Sequence, residues 1–345
     1  MKKIEMLYGF PCFAKSVTFS NFKNQKLRVS DIWGFWEYVI KKQTTSVPRK
    51  EFFKTLLEQS RYFYEAAEQA PIKSQPLLYY YSFLNLAKII ISLDKGFDAS
   101  NVFQHGIATK VDTTTLFNTA EVMLKVLNPP RIISVANYFA ESMGDHLAPY
   151  PRILNVSKCL ESCVAIHRTY CEIFNKSESY FRLDNSVLVK NGKELIFRAE
   201  IHGCNDNVMN DLQALHYNVY RQDKLYMLSE AYTMPNYNVT KQAYCLLADQ
   251  LRSKGLWYYM TGEEIRMYVS TNSDYRYSME SMIYDIMFFF GSITRYHPYF
   301  FDSILNKEQY WVVSEFLKTM PKQFLYLVSS KALGITILKS RTAEI

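Results

Sequence analysis

Apolar positions recur at helical spacing through the first third of the chain. Asp31 stands as an N-cap before Ile32, Trp33, Phe35, Trp36 and Val39, which predicts a helix. Residues 49–69 repeat the pattern with Phe52, Phe53, Leu56, Leu57, Tyr62 and Phe63. Pro71 and Pro76 bracket a break. Residues 77–93 then form a helix apolar on most faces, and such a helix is normally buried. Residues 94–111 read as a loop holding Gly96 and the His105-Gly106 pair. A helix is expected over 116–127, closed by Asn128-Pro129-Pro130; residues 131–156 carry no decisive period, and 157–174 are helical again.

The period changes at residue 186. Residues 186–190 and 194–198 flank Asn191-Gly192, a pair suited to the positive φ angles of a type I′ turn, so a hairpin is predicted. Further strands are expected at 224–232 and 265–271, with a helix over 238–253. Residues 278–295 are strongly helical and apolar until His297-Pro298, and a last helix spans about 307–333 with a kink at Pro321. No internal repeat is present. Helices first, strands in the middle and helices last argue for a predominantly helical α+β fold. The expected organisation is an extended basic and aromatic arm at 1–30, with anchors Tyr8, Phe10, Phe13, Phe19 and Phe22, and a helical region at 31–179. A β-rich subdomain at 180–275 and C-terminal helices at 276–345 packing on 31–179 complete one compact unit.

Composition narrows the class. The 345 residues are 48% hydrophobic and 21% charged, which excludes a disordered polyelectrolyte. With 11 Gly and 11 Pro, a collagen-like or linker-like chain is excluded too. The excess lies in aromatics: 27 Tyr, 23 Phe and 4 Trp. Aromatics beside basic residues can stack nucleic-acid bases, but at helical spacing they are favoured as core plus a self-association surface, so a homo-oligomer or protein partner is expected. Six unevenly spaced Cys do not make a secreted disulfide framework. The start MKKIEMLYGFPC resembles a signal peptide until Glu5 and Pro11 interrupt it. The longest apolar runs, 77–93 and 281–294, are broken by Lys88 and Asp285 before reaching the roughly 18 residues of a membrane span, so a cytoplasmic protein without a membrane partner is expected. The net charge of +7 is uneven: residues 1–60 hold 11 Lys/Arg and 5 Asp/Glu. This basic region is either a solvated surface or a footprint for nucleic acid or another polyanion.

Two polar lines interrupt the apolar helices. Ser82, Asn85, Lys88 and Ser92 share one face of the first, and Ser281, Asp285, Ser292 and Arg295 share one face of the second. A lone buried charge is costly, so each line either turns to water or pairs. The site expectation is that the lines face a shared cleft with Lys88 near Asp285, and with His105, Arg295 and His297 at its mouth. Two independent solvent-facing stripes, or a purely structural ion pair, are the alternative. Arg295 and Lys88 suit a phosphate or carboxylate. His105 or His297 suits general acid–base work, because imidazole titrates near neutral pH.

Other constellations carry less. Cys159, Cys163, His167 and Cys171 recur every four residues, but that spacing lets one ion reach two of them at most, and small buried thiols on a core face are favoured over zinc. No His follows an Arg at the spacing of the Arg-x4–6-His motif of helical bacterial RNases. Phosphate-cradling Gly-rich loops, G-x-S-x-G and H-E-x-x-H are absent, and no cofactor or metal is implied. Asp184, Glu200, Asp206 and Asp211 lie near the strands in a spacing that matches no nuclease motif.

Residues 62–110, with Gln75-Pro76 opening the aromatic-rich helix, Asn85-Leu86-Ala87-Lys88 within it and His105-Gly106 after the loop, resemble the YaaC-like family of bacterial proteins. The segment Ser292-Ile293-Thr294-Arg295-Tyr296 followed by Pro298 looks like that family's closing helix, and the Trp33–Trp36 start fits as well. The resemblance implies a shared fold and a bacterial or phage source; it supplies no catalytic residues. The functional expectation is a binding module for an anionic ligand, nucleic acid or protein partner, with Gln75, Asn85, Lys88 and Asp285 as ligand-binding residues. The alternatives are a hydrolase or nuclease using His105, Arg295 and His297, and a structural subunit of an oligomer.

Overall fold

A computed structural model describes residues 4–8, 26–112, 114–125, 132–145, 151–203, 206–236, 241–261, 264–271 and 277–340. Along the chain, β1 (Ile4–Tyr8) and β2 (Lys26–Val29) precede α1 (Ile32–Gln43), α2 (Val47–Gln69) and α3 (Gln75–Lys95). Next come β3 (Val102–Gln104), β4 (Ile107–Lys110), β5 (Glu121–Leu124), β6 (Ile132–Ser134), α4 (Val135–Ser142), β7 (Arg152–Asn155), α5 (Val156–Glu161) and α6 (His167–Phe174). The middle holds β8 (Tyr180–Asn191), β9 (Glu194–Ile201), α7 (Asp206–Ala214), β10 (Asn218–Arg221), β11 (Leu225–Leu228) and β12 (Tyr232–Thr233). Then follow α8 (Lys241–Ser253), β13 (Leu256–Met260), β14 (Ile265–Ser270), α9 (Met279–Tyr296), α10 (Pro298–Leu305), α11 (Gln309–Leu333) and β15 (Thr336–Lys339). The fold is predominantly helical α+β.

The chain divides into two compact units. One holds residues 1–30, 177–277 and 329–345; the other holds 31–176 and 278–328, so the division falls inside α11. The first is built on an antiparallel sheet ordered β10-β11-β9-β8-β14-β13, with β1 also on β8 and β12 also on β9. β8 changes partner along one edge: Tyr180–Leu183 pair with β14, and Val187–Asn191 pair with β1. A register shift between Asp184 and Val187, with Asn185 at φ 49°, marks the bulge at which the strand turns from one neighbour to the other. Leu188, Leu195, Phe197, Leu212, Met227, Leu247 and Leu251 are buried in this unit's core. The hairpin forms with a different turn. Asn191 pairs with Glu194, so the loop residues are Gly192 and Lys193, and Gly192 alone has a positive φ, the single-glycine pattern of a type II′ turn. The residues read as an extended arm supply β1 to this sheet and β2 to a parallel pair with β15. Phe10, Phe13, Phe19 and Phe22 lie outside the described residues, as do Cys204 and the turn at Asn128-Pro129-Pro130.

The second unit packs α3 and α9 against each other at its centre, with α2 and α4 also against α3. Asp31 caps α1 by accepting from the Trp33 and Gly34 amides, as its position predicts. Pro48, Pro76 and Pro298 stand in the first turns of α2, α3 and α10, where a missing N–H is tolerated. α3 ends at Gly96, in the left-handed region. By length and composition α3 could cross a membrane; 72% of its most apolar window is buried in the fold, including Phe83, whose ring stacks on Phe324 at 3.9 Å. α9 starts on a buried network. Asp145 accepts from the Ser278 amide at 2.8 Å and from its hydroxyl at 2.7 Å, and the Ser278 hydroxyl accepts from the Ser281 amide.

Two helical expectations fail here. Residues 116–127 form a 3-10 turn at Phe117–Thr119 and then β5, which pairs with β4 on one side and β7 on the other. Backbone partners from distant sequence override the local helical period. Residues 157–174 break after Glu161 into a 3-10 turn at Val164–Ile166 before α6 begins.

Candidate functional site

The close approach of α3 and α9 is set by a glycine. A Cβ on Gly291 would lie 3.2 Å from the Cβ of Tyr80 and 3.3 Å from the Pro76 carbonyl oxygen, so the helix backbones can nearly touch there. Beside this crossing, residues of α3, α9 and β4 line a common hollow. The result is a cleft of about 300 Å³ lined by Tyr80, Tyr81, His105, Thr109, Ser292 and Arg295 among others.

His105 sits between β3 and β4 with its backbone pinned: its carbonyl accepts from the Ala136 amide at 3.1 Å, and the next carbonyl, of Gly106, accepts from Lys125 at 2.8 Å. Its Nδ1 is hydrogen-bonded to the Tyr80 hydroxyl. The imidazole also packs on the rings of Tyr80 and Phe288, at 5.5 Å and 6.3 Å. Burial, with Tyr284 and Asp285 adding, pushes the Tyr80 phenol well above its usual value, so it stays a neutral hydroxyl. Partial burial, then the positive charges of Lys88 and Arg295, hold His105 below the ordinary imidazole value. The Thr109 and Ser292 hydroxyls meet at 3.1 Å across the β4–α9 side. Arg295, in the last turn of α9, donates from Nη1 to the Tyr81 hydroxyl at 3.3 Å and lies 5.0 Å over the ring of Tyr296. The half-buried Lys88 ammonium lies 6.0 Å from the centre of the Phe103 ring, and burial lowers its pKa. Among the described residues neither Lys88 nor Arg295 has a carboxylate at ion-pair distance.

The structure brings His105 and Arg295 to one cleft and places the other expected residues elsewhere. His297 ends α9 and starts α10, its amide donating to Ile293 and its carbonyl accepting from Phe301. Gln75 ties the α2–α3 turn through Nε2 to the Ala70 carbonyl at 2.9 Å. Asn85 is buried toward α2, donating to Gln59 at 3.3 Å, and Ser82 faces Ser60 there. Asp285 is buried beside Cys159, Arg152 and Asp145; burial pushes its pKa up to about 8 against the pull of Arg152, with a smaller upward push from the Asp145 charge. The Lys88–Asp285 pair is therefore not formed. Over the fourteen residues from Ser281 to Arg295 a helix advances about 21 Å, so each polar group on one face meets a different neighbour.

Other polar groups are already engaged. Burial raises the thiols of Cys159 and Cys163, which keeps them protonated, and Cys171 contacts His167 Nε2 at 3.4 Å. Asp184 and Glu200, paired across β8 and β9, share His202 at 3.0 Å and 3.3 Å, and Glu200 also takes Lys224 and Asn185. The basic N-terminal residues Lys41, Lys50 and Lys54 border a separate hollow whose rim also carries Glu37 and Glu51.

Sequence reasoning did not single out Tyr80, Tyr81 or Thr109. Three successive tyrosines, 79 to 81, leave an α-helix in three directions about 100° apart, and only the packing decides which one meets His105. The cleft's chemistry has two capacities. It presents positive charge at Arg295 with no carboxylate at ion-pair distance among the described residues, and it holds one imidazole nitrogen on a neutral phenol, leaving Nε2 as the atom for proton transfer.

No curated protein and no solved structure matches the chain. The family model described as YaaC-like Protein matches residues 10–332, a span that takes in α3, the His105 loop and α9 together, and the chain belongs to that family.

Proposed function

We propose that the chain binds a small anionic ligand, through a carboxylate or phosphate group, in the cleft between α3, α9 and β4. The observation that carries this reading is the pair of cations, Lys88 and Arg295, that bear on the His105 imidazole and, among the described residues, have no carboxylate at ion-pair distance. Lys88 is half-buried, and a cation drawn from bulk water is costly, a cost that a nearby anion offsets; Arg295 is exposed and is free to meet a ligand from solvent. Arg295 suits the direct contact, since a guanidinium grips two oxygens of a carboxylate or phosphate. Lys88 does not line the cleft and acts at a distance by charge, as it does on His105. Of the Thr109 and Ser292 hydroxyls, whichever accepts in their mutual bond can turn its own proton toward the same oxygens. At about 300 Å³ the cleft is at the lower end of small-molecule sites, so its ligand is one small molecule rather than a nucleic-acid duplex.

Calorimetric titration with inorganic phosphate and with acetate tests this. Arg295→Met is expected to weaken binding by about 10- to 100-fold, the worth of one charge-assisted hydrogen bond. Lys88→Met is expected to weaken it less and to flatten its salt dependence. Equal affinity for wild type and Arg295→Met would contradict the reading.

A further inference from the structure

We infer that the ligand is a planar aromatic or heteroaromatic ring bearing the anionic group, an inference that rests on the anion reading above. The groups able to hold an anion, Arg295, His105, Thr109 and Ser292, all line the cleft, and the hydroxyls of the last two meet at 3.1 Å. Much of the remaining wall is aromatic: Tyr80, Tyr81, Phe288 and Tyr296. These rings are not equivalent. Tyr80 and Phe288 are already packed on each other, edge to face at 5.2 Å, and form the inner wall. Tyr296 is 63% exposed, although it lines a cleft and carries a large apolar face. Arg295 lies over that ring and also reaches the Tyr81 hydroxyl, so the cation that would hold the anion stands between two tyrosines. An anion gripped by Arg295 therefore brings the atoms attached to it against aromatic surface. A flat ring gains there what an aliphatic chain cannot, because offset-stacked and edge-to-face ring pairs add to the simple burial of area. A guanidinium already over one ring also tolerates a second. The volume leaves room for a ring and its anionic group.

The test is titration with matched anions: acetate, cyclohexanecarboxylate and benzoate for the carboxylate, inorganic phosphate and phenyl phosphate for the phosphate. Benzoate is expected to bind about 2- to 10-fold more tightly than cyclohexanecarboxylate, which has similar size and charge but no aromatic face. Phenyl phosphate is expected to exceed inorganic phosphate, and the stronger of the two arms identifies the anionic group. In Tyr296→Leu the benzoate-to-cyclohexanecarboxylate ratio is expected to fall to about 1. The inference is overturned if the saturated and aromatic acids bind equally in the wild type, or if Tyr296→Leu keeps the preference. If acetate and phosphate bind in either case, the anion reading survives without the ring. If none of the five compounds binds, both fail together.

Discussion

Gly106→Ala is expected to destabilise the protein by about 2–5 kcal/mol. Two separate terms make up that figure. Gly106 has a φ of +70°, a left-handed conformation that costs a residue with a Cβ about 1–2 kcal/mol. The new Cβ would also stand 1.8 Å from the Ser134 hydroxyl oxygen and 3.2 Å from its Cα, and forced overpacking of that kind costs about 1–3 kcal/mol. Gly96 separates the terms. Its φ is +86°, yet nothing lies within 4 Å of an added Cβ, so Gly96→Ala carries the conformational cost alone. Urea unfolding of the two variants should show the larger loss at residue 106, and Ser134→Gly should restore part of it. Equal losses at both glycines would mean that the Ser134 contact has no energetic weight. Because His105 is next in the chain and its carbonyl is fixed by Ala136, Gly106→Ala should weaken anion binding as well.

Asp285→Asn is expected to stabilise the protein at neutral pH, by about 2–4 kcal/mol, with a defined pH dependence. An aspartate titrates near 3.9 in the unfolded chain. In the fold, burial raises Asp285 to about 8. Between those values the native state binds more protons than the unfolded state, so stability falls as pH rises, by at most about 1.4 kcal/mol per pH unit. Below pH 4 the carboxyl is neutral in both states and the penalty is absent; above pH 8 it is fully developed and constant. Asparagine has nearly the same shape and never ionises. Melts of wild type and variant should coincide near pH 4, separate up to pH 8 and run parallel beyond it. Curves parallel over the whole range would show that Asp285 keeps its charge in the fold, sustained by Arg152.

The long helices are legible in the residues because each carries its own stop and start signals. Asp31 caps α1, Pro76 opens α3, Gly96 ends it, and His297-Pro298 ends α9. That α3 and α9 pack together follows from their being apolar nearly all round, since such helices must bury each other. The short strands are not legible in the same way. β5 spans four residues, and what makes it a strand is β4 and β7 on either side, both set by the folded chain. The polar lines show the opposite case, a correct pattern with an incorrect destination. Spacing places Ser82, Asn85 and Lys88 on one face, but the first two meet Ser60 and Gln59 on α2 and the third meets Phe103 on β3, and, among the described residues, none bonds to α9. His105 and Arg295 stand out by residue type, since imidazole and guanidinium are rare in so apolar a setting. Their common cleft depends on Gly291, one glycine in a helix, whose role appears only when the neighbouring backbone is in view.

The anion site is most directly read at His105 itself. Lys88 and Arg295 are two of the three causes that hold its imidazole below the ordinary value. An anion seated among the same cations cancels part of both. Histidine-selective NMR titrations at constant ionic strength, with chloride or with saturating phosphate, would follow its midpoint, using His105→Gln to assign the signal. The expected result is an upward shift of the His105 midpoint in phosphate, on the order of one pH unit, that is absent in Arg295→Met. A His105 midpoint identical in chloride and phosphate would contradict an anion site in this cleft.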